Sequence, residues 1–374
     1  MNLLFDLTAS QPISATKRHG GGKYCEMLFF AMCQRNLRFQ AFFNSTNYIN
    51  PKIFQASKSA GVKLYDIKDR QLNDIVKEKK ISHIYSALPE RILPWPACKV
   101  LGTIHGLRSF EIPFDFFSLQ QYDKGFIGLN TLLAWIKNKK NKVNIKNYYQ
   151  KLLNREDFKF VTVSNHSQKI IHSICPNIDT PVFYPPSTSV SQSKKTSNEK
   201  FFFMVSGDRA EKNCTRAIIA IDELLTKKQI PPNISIKITG TTHNISRYSI
   251  KNMSNFKFLG YVDEKELDFL YANAYAFIYP SLNEGFGYPP LEAMKYNVPV
   301  IASNAASIPE VCGNAALYFN PTSIRELEER IIELQEERVY FDLQKKGTIR
   351  FHEIETRQKE DLDKLVDWII RNSI

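Results

Sequence analysis

The chain has 374 residues, of which 43% are hydrophobic and 24% charged. That is a globular composition on a chain too long for one ordinary core, so two domains are expected. The sequence has no uninterrupted run of about 18 apolar residues, which excludes a simple spanning helix. Six cysteines (Cys25, Cys33, Cys98, Cys175, Cys214, Cys312) are scattered without a CxxC pair beside histidine. A zinc site is therefore not expected, and scattered thiols fit a reducing cytoplasm. The formal net charge of +12 is unevenly placed. Residues 1–190 carry 26 Lys and Arg against 13 Asp and Glu, whereas residues 191–374 carry 24 against 25. One half thus faces an anionic partner such as a membrane surface, a phosphorylated acceptor or nucleic acid.

In chain order, Met1–Asp6 reads as a strand. It lacks the basic start, long apolar core and small-residue cleavage site of a signal peptide. Short apolar runs at Leu3–Leu7 in this first strand, and at Phe39–Phe43, Ile81–Tyr85, Lys99–Ile104 and Lys159–Val163, predict buried strands. Amphipathic stretches such as Lys23–Asn36 and Asp69–Lys80 lie between them, so the pattern is a parallel sheet with covering helices. Val190–Lys200, polar and placed after Pro185 and Pro186, predicts an interdomain linker. A second series follows it. Strands are expected at Phe201–Ser206, Ile234–Thr239, Phe256–Leu259, Ala276–Tyr279, Pro299–Ala302 and Ala316–Phe319. Helices are expected at Cys214–Lys227, Glu264–Ala272, Pro289–Tyr296 and Ser323–Arg338. A terminal helix over Glu353–Ile374 carries an apolar stripe at Leu362, Leu365, Val366, Ile369 and Ile370.

Chemistry concentrates in Ser281–Met294, SLNEGFGYPPLEAM. It joins a strand to a helix N-terminus, the place where α/β proteins hold phosphates and nucleotides. Gly285 and Gly287 let backbone N–H groups approach a ligand, and Pro289 and Pro290 suit a first helical turn. Glu284 on the loop and Glu292 inside the helix are acceptor-only carboxylates suited to vicinal hydroxyls. Val205–Asn213, VSGDRAEKN, places Arg209 and Lys212 after another strand, where two cations neutralise a leaving diphosphate without metal.

The stretch SLNEGFGYPPLEAMKYNVPVIAS resembles the E-x7-E signature of the retaining glycosyltransferases of family 4. The resemblance implies an α/β chain of GT-B fold: two Rossmann-like domains facing across a cleft, with a C-terminal helix packing back on the N-terminal domain. The implied domains are 1–190 for the acceptor, 198–350 for the nucleotide sugar, and 351–374 for the returning helix. It implies that Glu292 binds the donor ribose, that Glu284 lies by the transferred sugar, and that Gly285, Phe286, Gly287 and Tyr288 contact sugar and phosphates. Arg209 and Lys212 resemble the family's Arg/Lys pair, although the family spaces it wider. His19–Tyr24, HGGGKY, follows the first strand as a glycine turn. The resemblance places Gly21 and Gly22 at the donor diphosphate, with Gly20 and Lys23 toward the acceptor. In TIHGLRSFE it makes His105 a contact of the transferred sugar, with Arg108 and Glu111 on the acceptor side. Glu310 is left between bracing the nucleotide site and capping local backbone, and Ser164 reads as a helix cap.

The expected reaction transfers a hexose-type sugar from a nucleoside-diphosphate sugar to a saccharide or lipid-linked acceptor in bacterial surface polysaccharide synthesis. It needs no cofactor and no metal, and takes place at the cytoplasmic side of the inner membrane. The basic aromatic run Trp135–Lys151, with Lys137, Lys139, Lys140, Lys142, Lys146 and Lys151, fits anionic lipid headgroups as well as a solvated helix face. A nucleic-acid role lacks a zinc-finger, helix-turn-helix or RNP-like motif. A sugar-nucleotide epimerase and an inactive nucleotide-sugar-binding subunit are the remaining alternatives.

Overall fold

Short apolar runs became parallel strands because only a sheet covered on both faces hides every second residue of both registers. The computed structural model describes residues 2–12, 20–92, 94–112, 141–187, 196–197, 199–243 and 249–374. It divides into two compact units. The first comprises Met1–Leu107, Lys146–Ser189 and Glu355–Ile374, and the second comprises Arg108–Ile145 and Val190–Ile354. Arg108 and its neighbours thus group with the second half of the chain. Most of the expected linker lies outside the described residues.

The first unit holds β1 (Leu3–Asp6), β2 (Gln40–Phe43), β3 (Lys63–Asp66), β4 (His83–Ser86), β5 (Lys99–Ile104) and β6 (Phe158–Thr162). They form one sheet in the order β3-β2-β1-β4-β5-β6, all parallel. This is the strand order of a dinucleotide-binding sheet, which reverses direction between β1 and β4. β1 and β4 are fully buried. β3 is not foreseen from its residues, since KLYD is short and charged. It survives as an edge strand, where one face and one hydrogen-bonding side meet solvent.

The second unit repeats the plan. β7 (Phe201–Met204), β8 (Ser235–Thr239), β9 (Phe256–Gly260), β10 (Ala276–Tyr279), β11 (Val300–Ser303) and β12 (Ala316–Phe319) order as β12-β11-β10-β7-β8-β9. Its reversal falls between β7 and β10. The core packs the helix Cys214–Thr226 and the helix Ile324–Glu333 on this sheet through Ile218, Ile221, Leu224, Leu327 and Ile331.

The expected helix Ser323–Arg338 is interrupted. One helix ends at Glu333, and another runs from Glu337 to Asn372, 36 residues long. No glycine or proline marks the break, and Leu334 is buried there. The long helix begins well before the expected Glu353. Its last part belongs to the first unit. There Leu365, Val366, Trp368 and Ile369 are buried. Asp361 accepts the Tyr184 N–H at 2.9 Å, and Gln358 donates to the Pro185 carbonyl at 2.6 Å.

Candidate active site

Two loops leave the carboxyl ends of β7 and β10, on either side of the reversal point of the second sheet. Residues 205–213 form the first and residues 280–287 the second. Backbone and hydroxyl bonds join them. The Leu282 N–H reaches the Glu211 carbonyl at 2.8 Å, and Ser281 Oγ lies 3.2 Å from the same carbonyl. Asn213 adopts φ +57° and donates its amide to the carbonyls of Pro280 and Pro321, at 3.0 and 2.8 Å. Asparagine tolerates that left-handed backbone better than most residues. Ser303 Oγ donates to the Ser281 carbonyl at 2.6 Å, and Ser307 Oγ lies 2.8 and 2.7 Å from the carbonyls of Glu284 and Phe286. The loop is therefore clamped from β11 as well.

At the centre stand Lys212 and Glu284. Lys212 closes the short 3-10 turn Ala210–Lys212 and is 6% exposed; Glu284 is 8% exposed. Lys212 Nζ lies 2.6 Å from Glu284 Oε1 and 3.1 Å from the Tyr279 hydroxyl. Ser281 Oγ adds a second bond to Oε1, at 2.6 Å. Burial by itself pushes the Glu284 carboxyl up. The Lys212 charge, with hydrogen bonds from Lys212, Ser281 and Tyr279, outweighs that and holds it below the ordinary carboxylate range. The Tyr279 phenol is raised well above its ordinary value by burial and by the adjacent Glu284 charge. It stays a neutral donor to one partner and an acceptor from the other. A buried cation and carboxylate sit together, each with a further hydrogen-bond partner, Tyr279 for Lys212 and Ser281 for Glu284, and such added bonds are what make a buried pair tolerable.

Arg209 and Lys212, expected to act together, have different surroundings. Arg209 stands at the cap of the 3-10 turn, half-exposed, in an ion pair with Glu211. Arg108, which opens the short helix Arg108–Glu111, reaches the same Glu211 Oε1 at 2.9 Å. Burial raises the Glu211 carboxyl, but its own backbone N–H and the two arginines bring it below the ordinary range. Glu111 closes that short helix, half-buried.

Glu292 lies half-buried in the helix Tyr288–Lys295. Its charge, after burial, is the next cause holding the Tyr271 phenol far above its ordinary value. Gly287 caps that helix at φ +111°, a backbone that side chains disfavour. Gly285 and Tyr288 are half-buried, and Phe286 is buried with its ring edge-on to Tyr288 at 5.5 Å.

In the first unit, Gly20, Gly21 and Gly22 do not form a turn ahead of the helix. They are its first turn, in Gly20–Gln34. Tyr24, Cys25 and Leu28 pull this segment inward by burying one face of the helix. Lys23 is half-buried on the same turn, and His19 lies outside the described residues. His105 follows β5. Its Nε2 lies 3.0 Å from the Ala87 carbonyl, and the Tyr24 ring meets it edge-on at 4.8 Å. Ser164 caps the helix Asn165–Ile174 by accepting the Ser167 N–H, as expected. Glu310 sits in the helix Ile308–Cys312, and its carbonyl takes Arg350 Nη2 at 2.7 Å. Trp135, Lys137, Lys139 and Lys140 lie outside the described residues. Lys142, Lys146 and Lys151 fall on the helix 141–153.

Sequence reasoning missed Asn213, Tyr279, Ser281, Ser303 and Ser307. Their only signal was position at strand ends or just ahead of a helix, and most of their partners come from other loops. Among the described residues no group of three or more His, Cys, Asp or Glu side chains is placed to hold a metal ion.

Residues 187–348 match the family described as "Glycosyl transferases group 1". Over 77 residues the chain is 47% identical to O-antigen chain mannosyltransferase B of Escherichia coli, covering 21% of this chain and 20% of that one. The match thus spans about a fifth of that relative's length. Sucrose-phosphate synthase from Thermosynechococcus elongatus superposes with a TM-score of 0.69 at 13% identity, covering 99% of this chain and 98% of that one. Anabaena HepE in complex with UDP-glucose gives 0.58 at 16% identity, covering 98% and 99%. Residues 187–348 thus resemble the glycosyl transferases group 1 family, and the chain as a whole has a fold of two Rossmann-like units that matches GT-B glycosyltransferase structures.

Proposed function

We propose that the chain is a retaining glycosyltransferase that moves a hexose from a nucleoside-diphosphate sugar to a saccharide or lipid-linked saccharide, in synthesis of a bacterial surface polysaccharide. The observation that carries this reading is the buried Lys212–Glu284 pair at the reversal point of the second sheet. A cation fixed there by a carboxylate and a phenol is preorganised to meet a phosphate, and a preorganised charge in a dry site acts more strongly than in water. In the step, the bond between the anomeric carbon and the diphosphate oxygen breaks. Lys212, with Arg209, takes up the developing charge without a divalent metal. The acceptor hydroxyl attacks the same face of the anomeric carbon, and its proton goes to the departing phosphate oxygen. Glu292 holds the ribose hydroxyls, Glu284 a hydroxyl of the transferred sugar, and the amides of Gly285–Tyr288 the rest. His105 is the candidate contact of the transferred sugar that the family resemblance supplies. The mannosyltransferase relative makes mannosyl donors the first to try.

The test is thermal unfolding with UDP, GDP, ADP, dTDP and CMP, with and without EDTA. A nucleotide at about 100 times its Kd stabilises the folded state by about 2.7 kcal/mol. One diphosphate is expected to stabilise equally in EDTA and to lose its effect in Glu292→Ala. Stabilisation by none, or only with a divalent ion, sinks the reading.

The acceptor side includes contact with an anionic membrane. Lys142, Lys146 and Lys151 share the helix 141–153 with Tyr148, which is 42% exposed. The full chain is expected to sediment with vesicles containing anionic lipid and to be released by salt, since each surface cation contributes about 1 kcal/mol. Equal binding to neutral vesicles would remove this part of the proposal.

A further inference from the structure

We propose that Asp6 and Ser86 are positioning residues that hold His105 in a single tautomer, with its proton on Nε2. The inference rests on the reading that His105 meets the donor sugar. β1 ends at Asp6 and β4 at Ser86, and the two residues pair across the sheet at its reversal point. Both are fully buried. Ser86 Oγ donates to Asp6 Oδ2 at 2.6 Å. Asp6 Oδ1 accepts the Thr8 N–H at 2.9 Å and the Thr8 hydroxyl. Arg91 braces the same loop by donating to the carbonyls of Thr8 and Gln11, both at 2.9 Å. A buried carboxylate is tolerated only when so satisfied, and this one is held from both strands.

The bond to Ser86 has a consequence one residue further on. Ser86 Oγ also accepts the Leu88 N–H at 3.2 Å. Ala87 therefore sits between two tethered neighbours, and its carbonyl direction is set. That carbonyl meets His105 Nε2 at 3.0 Å. A carbonyl oxygen only accepts, so the ring nitrogen must carry the proton. In the other neutral tautomer two lone pairs would oppose each other. The second bond of an imidazole selects its tautomer in this way. The plane of the ring is fixed separately. Tyr24 packs edge-on at 84°, and its own hydroxyl is tied to Thr103 at 2.9 Å. In the neutral ring the acceptor lone pair is then on Nδ1.

The experiment labels histidine with 15N in the full, ligand-free chain and reads the His105 ring nitrogens by long-range 1H–15N correlation, with His105→Gln assigning the signal. The native protein is expected to show the Nε2–H pattern. Ser86→Ala and Asp6→Asn are expected to show exchanging tautomers, and Ser86→Thr, which keeps the hydroxyl, to restore the native pattern. Should Asp6→Asn not fold, the two serine variants decide. Retention of the Nε2–H pattern in Ser86→Ala overturns the proposal. In a transfer assay the tautomer-shifted variants are expected to lose about 10- to 100-fold in kcat, as misplaced groups do, while the donor KM changes by less than about twofold. A shifted tautomer with unchanged kcat upholds the positioning and removes His105 from the sugar. A shifted tautomer in a protein that transfers nothing upholds the positioning and sinks the transferase reading.

Discussion

Removing the Lys212 ammonium would leave Glu284 charged and buried, with only a hydroxyl and a phenol for partners. Breaking one side of such a pair costs about 3–5 kcal/mol. Lys212→Met is therefore expected to lower the unfolding free energy by that amount in urea denaturation. The double variant with Glu284→Met should recover most of the loss; two independent, additive losses would contradict the coupling. The pH dependence follows from the direction of the Glu284 shift. A carboxyl whose folded value lies below its ordinary 4.5 contributes stability in full above that value, and loses it as pH falls through the folded one. The stability gap between the native protein and Glu284→Gln should thus be constant near neutrality and shrink only below about pH 4.5. A gap that closes instead between pH 6 and 8, a range about where histidine titrates, would point to another group. At this scale the charges were legible and the partners were not. Glu284 and Lys212 stand 72 residues apart, and nothing in either segment says that one is the other's counter-ion.

The loop Pro280–Gly287 was legible as an element because its glycines and prolines punctuate a strand and a helix. What holds it was hidden in single hydroxyls from β11 and beyond, Ser303 and Ser307. Gly287 shows how the element depends on backbone freedom. A methyl group there would meet only Ile308 Cγ1 at 4.0 Å, so space is available. The φ of +111° is the obstacle. Gly287→Ala is expected to cost about 1–2 kcal/mol, the usual penalty of a left-handed backbone, and to weaken diphosphate stabilisation as the loop relaxes. Unaltered denaturation midpoints would show that the loop adjusts without strain. The glycine run at Gly20–Gly22 taught the reverse lesson. Composition suggested a turn, but Tyr24, Cys25 and Leu28 bury one face and draw the three glycines into a helix. Local propensity yields to tertiary burial in such cases.

At the scale of the whole molecule, both sheets carry the same strand order, and each reverses where its candidate residues gather: Asp6 and Ser86 in one unit, Lys212 and Glu284 in the other. The terminal helix completes the first unit from the far end of the chain. A chain ending at Ile354 loses Leu365, Val366, Trp368 and Ile369 from that core, together with the Asp361 and Gln358 bonds. Hydrogen exchange should then show β1, β4 and β5 losing protection while β7 and β10 keep theirs. Equal loss in both units would mean that they unfold as one. The sequence by itself determined the alternation of strands and helices, the two-unit plan, and the loops that carry charge, because apolar period and turn chemistry are local properties of neighbouring residues. Only the tertiary structure decided that Lys212 is neutralised by Glu284, that Arg209 and Arg108 share Glu211, and that His105 is bound to Ala87. Those outcomes depend on which strand ends lie side by side, and parallel sheets bring together residues that the chain itself keeps far apart.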